Sequence, residues 1–356
     1  MSIHGIDHVE YYTGDLGRTS AQLCDAYGFR IAGRGAPPGQ HSLLLRQDQI
    51  QLLLTTSAAP GDQVARYLRE HGDGVAVIAF ATDDLTETFA GVVAAGAAPV
   101  AGPAFREASQ GRIGTAVVRG FGDVLHKLVQ RDGSGGDFAP GAIVLEPGEA
   151  DGAEARDGSL LELLDHVAVC LPAGDLDRTV AFYRDVFGLE QIYDERIEVG
   201  TQAMLSKVVQ DHDARVTFTL IEPDVTREPG QIDDFLRSHG GAGVQHLAFR
   251  TPDIATAVRT FSGRGVEFLV APGGYYQALG PRLGPLAIPI EVLRELNVLA
   301  DTDRWGQMYQ IFARSTHERH TFFIELIERK GALTFGSRNI RALYEALDDE
   351  HAAITH

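Results

Sequence analysis

The sequence holds two near copies of one short segment. "GAGVQHLAFRTPD" occupies Gly241–Asp253, and "GDGVAVIAFATDD" occupies Gly72–Asp84. At the same place in the segment, the later copy has His246 and the earlier copy has Val77. Because segments with nearly the same apolar pattern fold alike, these two should be equivalent strands of a duplicated structure. The exchange of a histidine for a valine then indicates that the two copies differ in chemistry.

The duplication covers most of the chain, because three further pairs of segments recur in the same order. They are IDHVEYY with LDHVAVC, GDLGRTSAQLCDAYGF with GDLDRTVAFYRDVFGL, and GFGDVLHKLVQRDG with RHTFFIELIERKG. Each copy alternates short apolar runs with helix-spaced stretches. This order predicts an α+β fold of two tandem modules, each made of paired βαβββ units. We expect the first module over residues 1–133, a Gly-, Pro- and acid-rich linker over 134–160, and the second module over 161–356.

The second copy has two features of its own. Apolar residues recur on one helical face over Leu176–Phe187, where Asp175 suits the N-cap and Gly188 is placed to end the helix. The second copy is also longer, mostly within residues 275–305. The centre of that insertion, "GPRLGPLAIPI", is rich in Gly and Pro and does not predict a regular helix.

Composition and charge exclude several classes of protein. With a net charge of −18 and no cluster of Lys and Arg, the chain is not expected to bind nucleic acid. It starts without a basic segment followed by an apolar run, and it has no long uninterrupted apolar stretch, so we expect a soluble, cytoplasmic protein without membrane contact. Its two cysteines, Cys24 and Cys170, are too few for a disulfide framework and should be small buried residues.

Three strand positions differ between the copies in a way that matters for a metal ion. In the second copy they hold two histidines and a carboxylate, namely His166, His246 and Glu325. In the first copy the equivalent residues are His8, Val77 and Lys127. Two imidazoles and one carboxylate on one side of a metal are typical of mononuclear non-haem Fe(II) oxygenases. A lysine would repel a divalent cation and a valine offers no lone pair, so a metal site is predicted in the second module alone.

From the residues alone, alternatives stay open. A histidine is more often a surface or structural residue than a ligand, and His8 carries the same motif without the other two ligands. Glu325 lies among apolar residues, where an unpaired charge costs several kcal/mol, so it calls for a cation. Fe(II) with one carboxylate and two neutral imidazoles keeps one net positive charge, which a monoanionic α-keto acid would neutralise.

Several motifs resemble those of a known family. "LDHVAV", "GAGVQHLAF", "YYQAL", "YQIFARSTHERHTFFIELIER" and "TFGSRNIRALYEAL" are similar to segments of 4-hydroxyphenylpyruvate dioxygenase and 4-hydroxymandelate synthase, which form one family of the vicinal oxygen chelate superfamily. The resemblance implies glyoxalase/bleomycin resistance-like half-barrels, an Fe(II) ion bound by His166, His246 and Glu325, and 4-hydroxyphenylpyruvate and O2 as substrates. It also implies a homodimer and a C-terminal lid helix within "SRNIRALYEAL".

The same resemblance assigns the substrate pocket. The residues that match pocket positions of the family are Ser206, Gln231, Gln245, Gln310, Phe312 and Phe335, together with Thr219, Ile221, Ile340 and Tyr344. Ser206, Thr219 or Tyr344 is expected to receive the substrate phenol. Phe312 and Phe335 are expected to pack on its ring.

The chain departs from the dioxygenase pattern at places that bear on the product. Thr219 and Ile221 in "TLIEP" stand where the dioxygenase has Pro and Asn, and Ile340 stands where it has Phe. Loss of an amide and of an aromatic wall should bring the benzylic C–H to the reacting centre. This favours 4-hydroxymandelate, a precursor for specialised metabolites such as antibiotics, over homogentisate. A homogentisate-forming dioxygenase, an extradiol catechol dioxygenase and a metal-free small-molecule binding protein are the alternatives.

Overall fold

The chain forms two mixed β-sheets, each flanked by helices. This computed structural model describes residues 3–37, 39–109, 111–133, 137–139, 142–147, 149, 158–271, 274–336, 339–342 and 344. One sheet has nine strands and the other eight, and both curl into half-barrels.

The first sheet and its helices come from the amino-terminal part of the chain. In chain order they are β1 (Ile3–Tyr12), α1 (Leu16–Ala21), β2 (Arg30–Gly35), β3 (Gln40–Gln47), β4 (Ile50–Ser57), α2 (Gln63–His71), β5 (Gly74–Thr82), α3 (Leu85–Ala94), β6 (Pro99–Glu107), β7 (Arg112–Arg119), β8 (Leu125–Asp132) and β9 (Val144–Leu145). A π-helical turn over Gln22–Ala26 directly follows α1.

The second sheet and its helices follow. They are β10 (Leu163–Cys170), α4 (Leu176–Phe187), β11 (Glu190–Val199), β12 (Gln202–Gln210), β13 (Thr217–Pro223), α5 (Gln231–His239), β14 (Gly243–Arg250), α6 (Ile254–Gly263), α7 (Tyr275–Leu283), α8 (Ile290–Leu296), β15 (Leu299–Thr302), β16 (Gln307–Phe312) and β17 (Phe323–Lys330).

Both sheets have the same topology. Their strand orders are β6-β7-β8-β5-β1-β4-β3-β2-β9 and β11-β12-β13-β10-β14-β17-β16-β15. In the first sheet β1 and β5 lie antiparallel at the centre, and each runs parallel to the last strand of its own unit, β4 and β8. β10, β14, β13 and β17 repeat this arrangement in the second sheet. The prediction of an α+β fold with paired βαβββ units in tandem is therefore confirmed.

Helix α4 ends as predicted but begins differently. Gly188 follows its last residue with φ of 71°, a left-handed conformation that glycine adopts without strain. Asp175 occupies the N-cap position, yet its side chain accepts no capping hydrogen bond. Instead Glu222 of β13 accepts hydrogen bonds from the backbone N–H groups of Gly174 and Leu176, at 2.7 and 3.0 Å. A carboxylate distant in sequence therefore satisfies the first turn.

The insertion in the second copy is more helical than its Gly and Pro content predicts. It forms α7 and α8, and α7 contains Pro281 in its last turn. The expectation that Gly280–Ile290 lacks regular helix was wrong for its first residues, Gly280–Leu283, which form the last turn of α7, while residues 284–289 are not helical. Tyr276 and Leu279 of α7 are buried in the main apolar core, and this tertiary packing outweighs the weak helix propensity.

The described part of the predicted linker packs on the first sheet. Phe138 and Ile143 are buried with Ala32 and Leu44 of that sheet, and β9 pairs with β2. The guanidinium of Arg131 lies over the ring of Phe138, 4.9 Å from its centre. These residues therefore pack directly on the first sheet. The module boundaries themselves stay a prediction.

One continuous apolar core joins the two modules. Phe80 of β5 packs against Phe187 and Phe218 of the second module. His126 of β8 lies at the same junction, and its Nε2 is 2.9 Å from the hydroxyl of Tyr183. Burial lowers the pKa of His126 to about 3, so this histidine is a neutral structural residue. The shared core fixes the position of the first module relative to the strands that carry the predicted metal ligands.

Candidate metal centre

Strand pairing brings the three predicted ligands together. In the antiparallel pair β10–β14, His166 lies opposite Ala248, and Ala168 lies opposite His246. In the parallel pair β14–β17, Ala248 lies opposite Glu325. The small Ala248 thus separates two of the ligands on one face of the sheet, where bulkier side chains would keep them apart.

The ligand atoms of these residues face one another in a buried cluster. Nε2 of His166 is 3.5 Å and Nε2 of His246 is 3.2 Å from Oε2 of Glu325. The exposed fractions of the three residues are 3%, 5% and 1%. Within the described ranges just one other group of three such side chains comes as close together, and two of its members are exposed. Two nitrogens and one carboxylate oxygen converging in a dry site suit a divalent metal such as Fe(II).

Burial and the neighbouring charges shift the pKa values of all three residues in the cluster. Burial alone would raise the pKa of Glu325, but the charge of His166 and hydrogen bonds from both histidines lower it to about 2. Burial would lower the pKa of His166, but Glu325 and then Asp165 raise it to about 9. Burial lowers the pKa of His246. The carboxylate of Glu325 therefore stabilises a positive charge on His166. A divalent cation can take the place of the proton that carries this charge.

The orientation of His166 is fixed by a buried carboxylate that the sequence analysis did not single out. Nδ1–H of His166 donates to Oδ1 of Asp165 at 3.0 Å. Asp165 in turn accepts two hydrogen bonds of 2.8 Å from Arg329 and two, of 3.0 and 3.3 Å, from Arg250. This arrangement leaves Nε2 free to bind a metal. Asp precedes His in both IDHV and LDHV, a signal that could have identified it.

Apart from Glu325, the described partners of His246 are neutral. Its Nδ1–H donates to Oε1 of Gln245 at 3.1 Å. The ring of Phe323 stacks on it, with 4.8 Å between the ring centres and 24° between the planes. Burial lowers the pKa of both histidines; Glu325 and Asp165 outweigh it at His166, whereas at His246 the contact with Glu325 does not, and the positive charge of His166 lowers the pKa of His246 further.

Glu325 is tied to the C-terminal helix by a chain of side-chain hydrogen bonds. Gln310 donates to Oε1 of Glu325 at 2.9 Å. Asn339 donates to Oε1 of the same Gln310 at 2.8 Å and accepts from the hydroxyl of Tyr275 at 2.7 Å. Asn339 is fully buried and was also missed from the sequence.

The remaining predicted pocket residues lie around this cluster. Phe335 meets His166 edge-on at 5.2 Å, and Phe312 lies 6.3 Å from His246, both measured between ring centres. Thr219 of β13 lies beside Ala168, the residue opposite His246. The Thr219 hydroxyl is buried and has no hydrogen-bond partner among the described residues.

A second group of predicted pocket residues surrounds Tyr344. Ser206 lies opposite Ile221 in the pair β12–β13. Ile221 packs in one apolar cluster with Tyr344, and Ile340 borders that cluster. Gln231 donates to the backbone carbonyl of Tyr344 at 2.8 Å. Of the predicted lid, residues 339–342 and 344 are helical, and its other positions lie outside the described residues.

Comparisons with known proteins agree with this architecture. Residues 5–116 and 163–280 match the Glyoxalase/Bleomycin resistance protein/Dioxygenase superfamily. A 4-hydroxyphenylpyruvate dioxygenase of Aspergillus fumigatus is 30% identical over 99% of this chain and 93% of its own length. Another, of Caenorhabditis elegans, is 31% identical over 97% and 91%. The solved structure of a triple mutant of 4-hydroxymandelate synthase from Streptomyces coelicolor is 42% identical, has a TM-score of 0.90 and covers 99% of this chain and 100% of that one.

The chain belongs to the family of 4-hydroxyphenylpyruvate dioxygenase and 4-hydroxymandelate synthase. This confirms the resemblance and the prediction of a non-haem iron dioxygenase family. Among the described residues of this family member, no helix has both the length and the apolar character that crossing a bilayer requires.

In the first module of this dioxygenase-family chain, the position equivalent to Glu325 holds Lys127, whose side chain ends in an ammonium group. Lys127 lies opposite Ala79, as Glu325 lies opposite Ala248 in the second module. Lys127 forms an ion pair with Glu10, whose other neighbour is Nε2 of His8 at 3.3 Å. A lysine and a glutamate thus form an internal ion pair in the first module.

Proposed function

We propose that this chain is a 4-hydroxymandelate synthase. The reaction is 4-hydroxyphenylpyruvate plus O2 giving 4-hydroxymandelate plus CO2, an oxidative decarboxylation coupled to hydroxylation of the benzylic carbon. The observation that carries the proposal is the buried convergence of His166, His246 and Glu325, combined with apolar residues at the pocket positions that distinguish the two family activities.

The three ligands would hold Fe(II), and the residues present fit this ion. Its donor set is two imidazole nitrogens and one carboxylate oxygen, and the carboxylate has no Lys or Arg partner among the described residues. When bound, Fe(II) supplies a Lewis acid for the keto acid and the electrons that activate O2. Asp165 orients His166 for this role, and Gln310 orients Glu325.

The pocket residues support a bound 4-hydroxyphenyl group. The buried hydroxyl of Thr219 lacks a partner, and buried polar groups are normally hydrogen-bonded, so a substrate oxygen would complete its contacts. Ser206 and the hydroxyl of Tyr344 are the other candidates for the phenol. Phe335 and Phe312 provide aromatic surfaces beside His166 and His246 for the ring.

Ile221 and Ile340 support the choice of product. Ile221 belongs to the apolar cluster around Tyr344, and Ile340 packs on its border. Neither side chain can donate a hydrogen bond that would anchor the ring of the substrate. The ring is therefore free to withdraw from the metal, which leaves the benzylic C–H as the nearest bond to attack.

The C-terminal helix would exclude water from the closed site. Asn339 is buried and connects this helix through Gln310 to Glu325. Gln231 binds the helix at the backbone of Tyr344. Both contacts hold the helix over the cluster, where a reactive oxidant must be kept from water.

Product analysis tests the proposal. The purified chain is loaded with Fe(II) and given 4-hydroxyphenylpyruvate and O2, and the products are separated by liquid chromatography. We expect 4-hydroxymandelate as the main product, with one CO2 released for each O2 consumed. If homogentisate is the main product, the proposal of a 4-hydroxymandelate synthase is rejected. The second candidate, a 4-hydroxyphenylpyruvate dioxygenase, would then be preferred, and the names of the sequence relatives favour it.

Measurement of bound iron separates both enzymes from the third alternative. A metal-free small-molecule binding protein predicts no stoichiometric Fe(II) and no O2 uptake. The enzyme predicts one tightly bound Fe(II) per chain, and Glu325→Gln should weaken that binding severely. The homodimer implied by the family resemblance stays a prediction.

A further inference from the structure

The segment that leads into the ligand strand β17 is held by the first module. This segment, residues 313–322, connects β16 with β17 and is called the β16–β17 loop below. It borders a cleft of about 600 Å³ between the modules. Residues of the loop line this cleft, so the contacts that the loop makes with neighbouring elements determine where it lies.

Arg319 makes the most extensive of these contacts. Its guanidinium donates to the backbone carbonyls of Glu70 at 2.7 Å, Arg69 at 3.1 Å and Ser238 at 3.3 Å. The first two carbonyls belong to the last turn of α2, and the third belongs to the last turn of α5. The final carbonyls of a helix lack intrahelical partners and carry partial negative charge, so a cation is favoured there. Arg319 thus joins one helix of each module to the loop.

The backbone around Arg319 is shaped to accept it. A Cβ atom on Gly72 would lie 3.1 Å from Cδ and Nε of Arg319, and Gly72 has φ of 76°. Glycine at this position lets the guanidinium lie over the end of α2. His320, next to Arg319, has φ of 54°, a left-handed conformation that is costly for a residue with a side chain. Such strain persists only where surrounding contacts hold it.

Three residues of the first module hold the rest of the loop. Gln22 exchanges side-chain hydrogen bonds with Thr316, and Arg18 donates to the Thr316 carbonyl at 3.2 Å. The hydroxyl of Tyr11 hydrogen-bonds to the ring of His317.

The loop then passes directly into the metal centre. Phe322, at its end, packs edge-on against Tyr11 with 5.2 Å between the ring centres. Phe323, the next residue, stacks on His246. Glu325 follows two residues later. A displacement of the loop would therefore move both the ring packed on one ligand and the strand that carries another.

We propose that Arg319 is a positioning residue for the metal centre. Through the ends of α2 and α5 it holds the β16–β17 loop so that Glu325 stays in register with His166 and His246. The first module, which has Val77 and Lys127 at the positions equivalent to His246 and Glu325, thereby takes part in building the metal site of its neighbour. The inference rests on the proposed function for the identity of the metal, but its test does not depend on turnover.

The test compares Fe(II) affinity in the full chain and in two variants. Arg319→Ala removes the three carbonyl contacts, and its dissociation constant for Fe(II) is expected to rise about tenfold, as for loss of a residue that orients ligands. Arg319→Lys keeps the charge but not the forked geometry, and it should restore part of the affinity. Arg178→Ala is the control, because Arg178 is an exposed arginine of the same module paired only with Asp175 among the described residues. It should bind Fe(II) like the unmodified chain.

Co(II) provides a spectroscopic readout of the same site. The visible absorption of Co(II) bound to the unmodified chain reports its ligand geometry, and Arg319→Ala should change that spectrum even at saturation. A merely structural arginine would lower the melting temperature and leave both the affinity and the spectrum of the folded protein unchanged. That result would overturn the proposal.

Further outcomes keep the inference distinct from the proposed function. If Arg319→Ala does not fold, Arg319→Lys and Tyr11→Phe test the same loop, and unchanged Fe(II) affinity in both would overturn the inference. If the unmodified chain binds neither Fe(II) nor Co(II), the proposed function fails and the inference fails with it. If the unmodified chain binds metal but forms another product, the affinity measurements still decide the role of Arg319.

Discussion

Replacing Asp165 by Asn should weaken Fe(II) binding through His166. Asp165 accepts Nδ1–H of this ligand and lies between two guanidinium groups, those of Arg250 and Arg329. An asparagine oxygen can still accept the hydrogen bond, but the negative charge is lost. The substitution therefore isolates the electrostatic part of the contact.

The size of the effect follows from the raised pKa of His166. A rise from 6.5 to about 9 corresponds to roughly 3 kcal/mol in favour of a positive charge at this ring. Glu325 makes the largest favourable contribution and Asp165 the next. A metal ion at Nε2 is attracted by the same negative charges as the proton is. Loss of the Asp165 charge should therefore raise the dissociation constant for Fe(II) by about tenfold, as for the removal of other partners of metal ligands.

The first module supplies a matched control for Asp165→Asn. Asp7 contacts His8 there and accepts two hydrogen bonds from Arg131, at 2.8 and 2.9 Å. Both substitutions remove the negative charge of a buried carboxylate that binds a partly exposed arginine, so each should lower the free energy of unfolding by about 1.5–3 kcal/mol. Only Asp165→Asn should change Fe(II) affinity, measured by titration of the metal-free protein. Equal Fe(II) affinities of Asp165→Asn and the unmodified chain, or equal losses in both variants, would refute this reasoning.

Three further predictions concern the same cluster and its counterpart. The pKa of His166 is raised to about 9, so its attraction to Glu325 is fully present below about pH 6.5 and is lost as the pH rises through 9. Urea unfolding of the metal-free protein should show that its free energy of unfolding declines over this range, and the Glu325→Gln variant should show a much smaller decline. Lys127→Ala should lower the free energy of unfolding by about 3 kcal/mol, because Glu10 loses its cation, while turnover stays near normal; loss of iron binding would contradict this. Ile340→Phe should divert part of the product to homogentisate, and an unchanged product ratio would count against the role of Ile340.

The fold could be predicted from the sequence because duplication makes each segment a check on the other. The predicted ligands His166, His246 and Glu325 were chosen by comparing equivalent strand positions, and the structure brings them together. Equivalent positions in two copies share a backbone environment, so a difference between them reflects chemistry more than packing.

Partners of the ligands were harder to predict, because they come from distant parts of the chain. An aspartate recurs before the histidine in both copies, but the role of Asp165 depends on Arg250 and Arg329, which the pairing of β10 with β14 and of β14 with β17 brings beside it. Local patterns cannot reveal such contacts. The same reason explains why Glu222, and not the adjacent Asp175, satisfies the start of α4.

Tertiary packing determines the structure of two segments that are rich in Gly and Pro. Pro281 and its neighbouring glycines argue against a helix, yet burial of Leu279 stabilises α7. Phe138 and Ile143, which lie in the predicted linker, are buried with Ala32 and Leu44 of the first sheet. Burial of two such side chains contributes about 1.5–3 kcal/mol each, which favours this packing.

A comparison of the two modules shows how one backbone frame serves two purposes. Both keep an aspartate before the first histidine and a bidentate arginine on that aspartate, so the frame around the histidine is the same. The two modules differ in the charged side chains that lie near Nε2 of that histidine. In the second module the ionisable partners of Glu325 are His166 and His246, so a divalent cation would fit among them, whereas the first module pairs Glu10 with Lys127. The first module therefore needs no metal ion at the position of this ion pair, which fits the proposed role of its helix α2 as a support for the loop that carries Arg319.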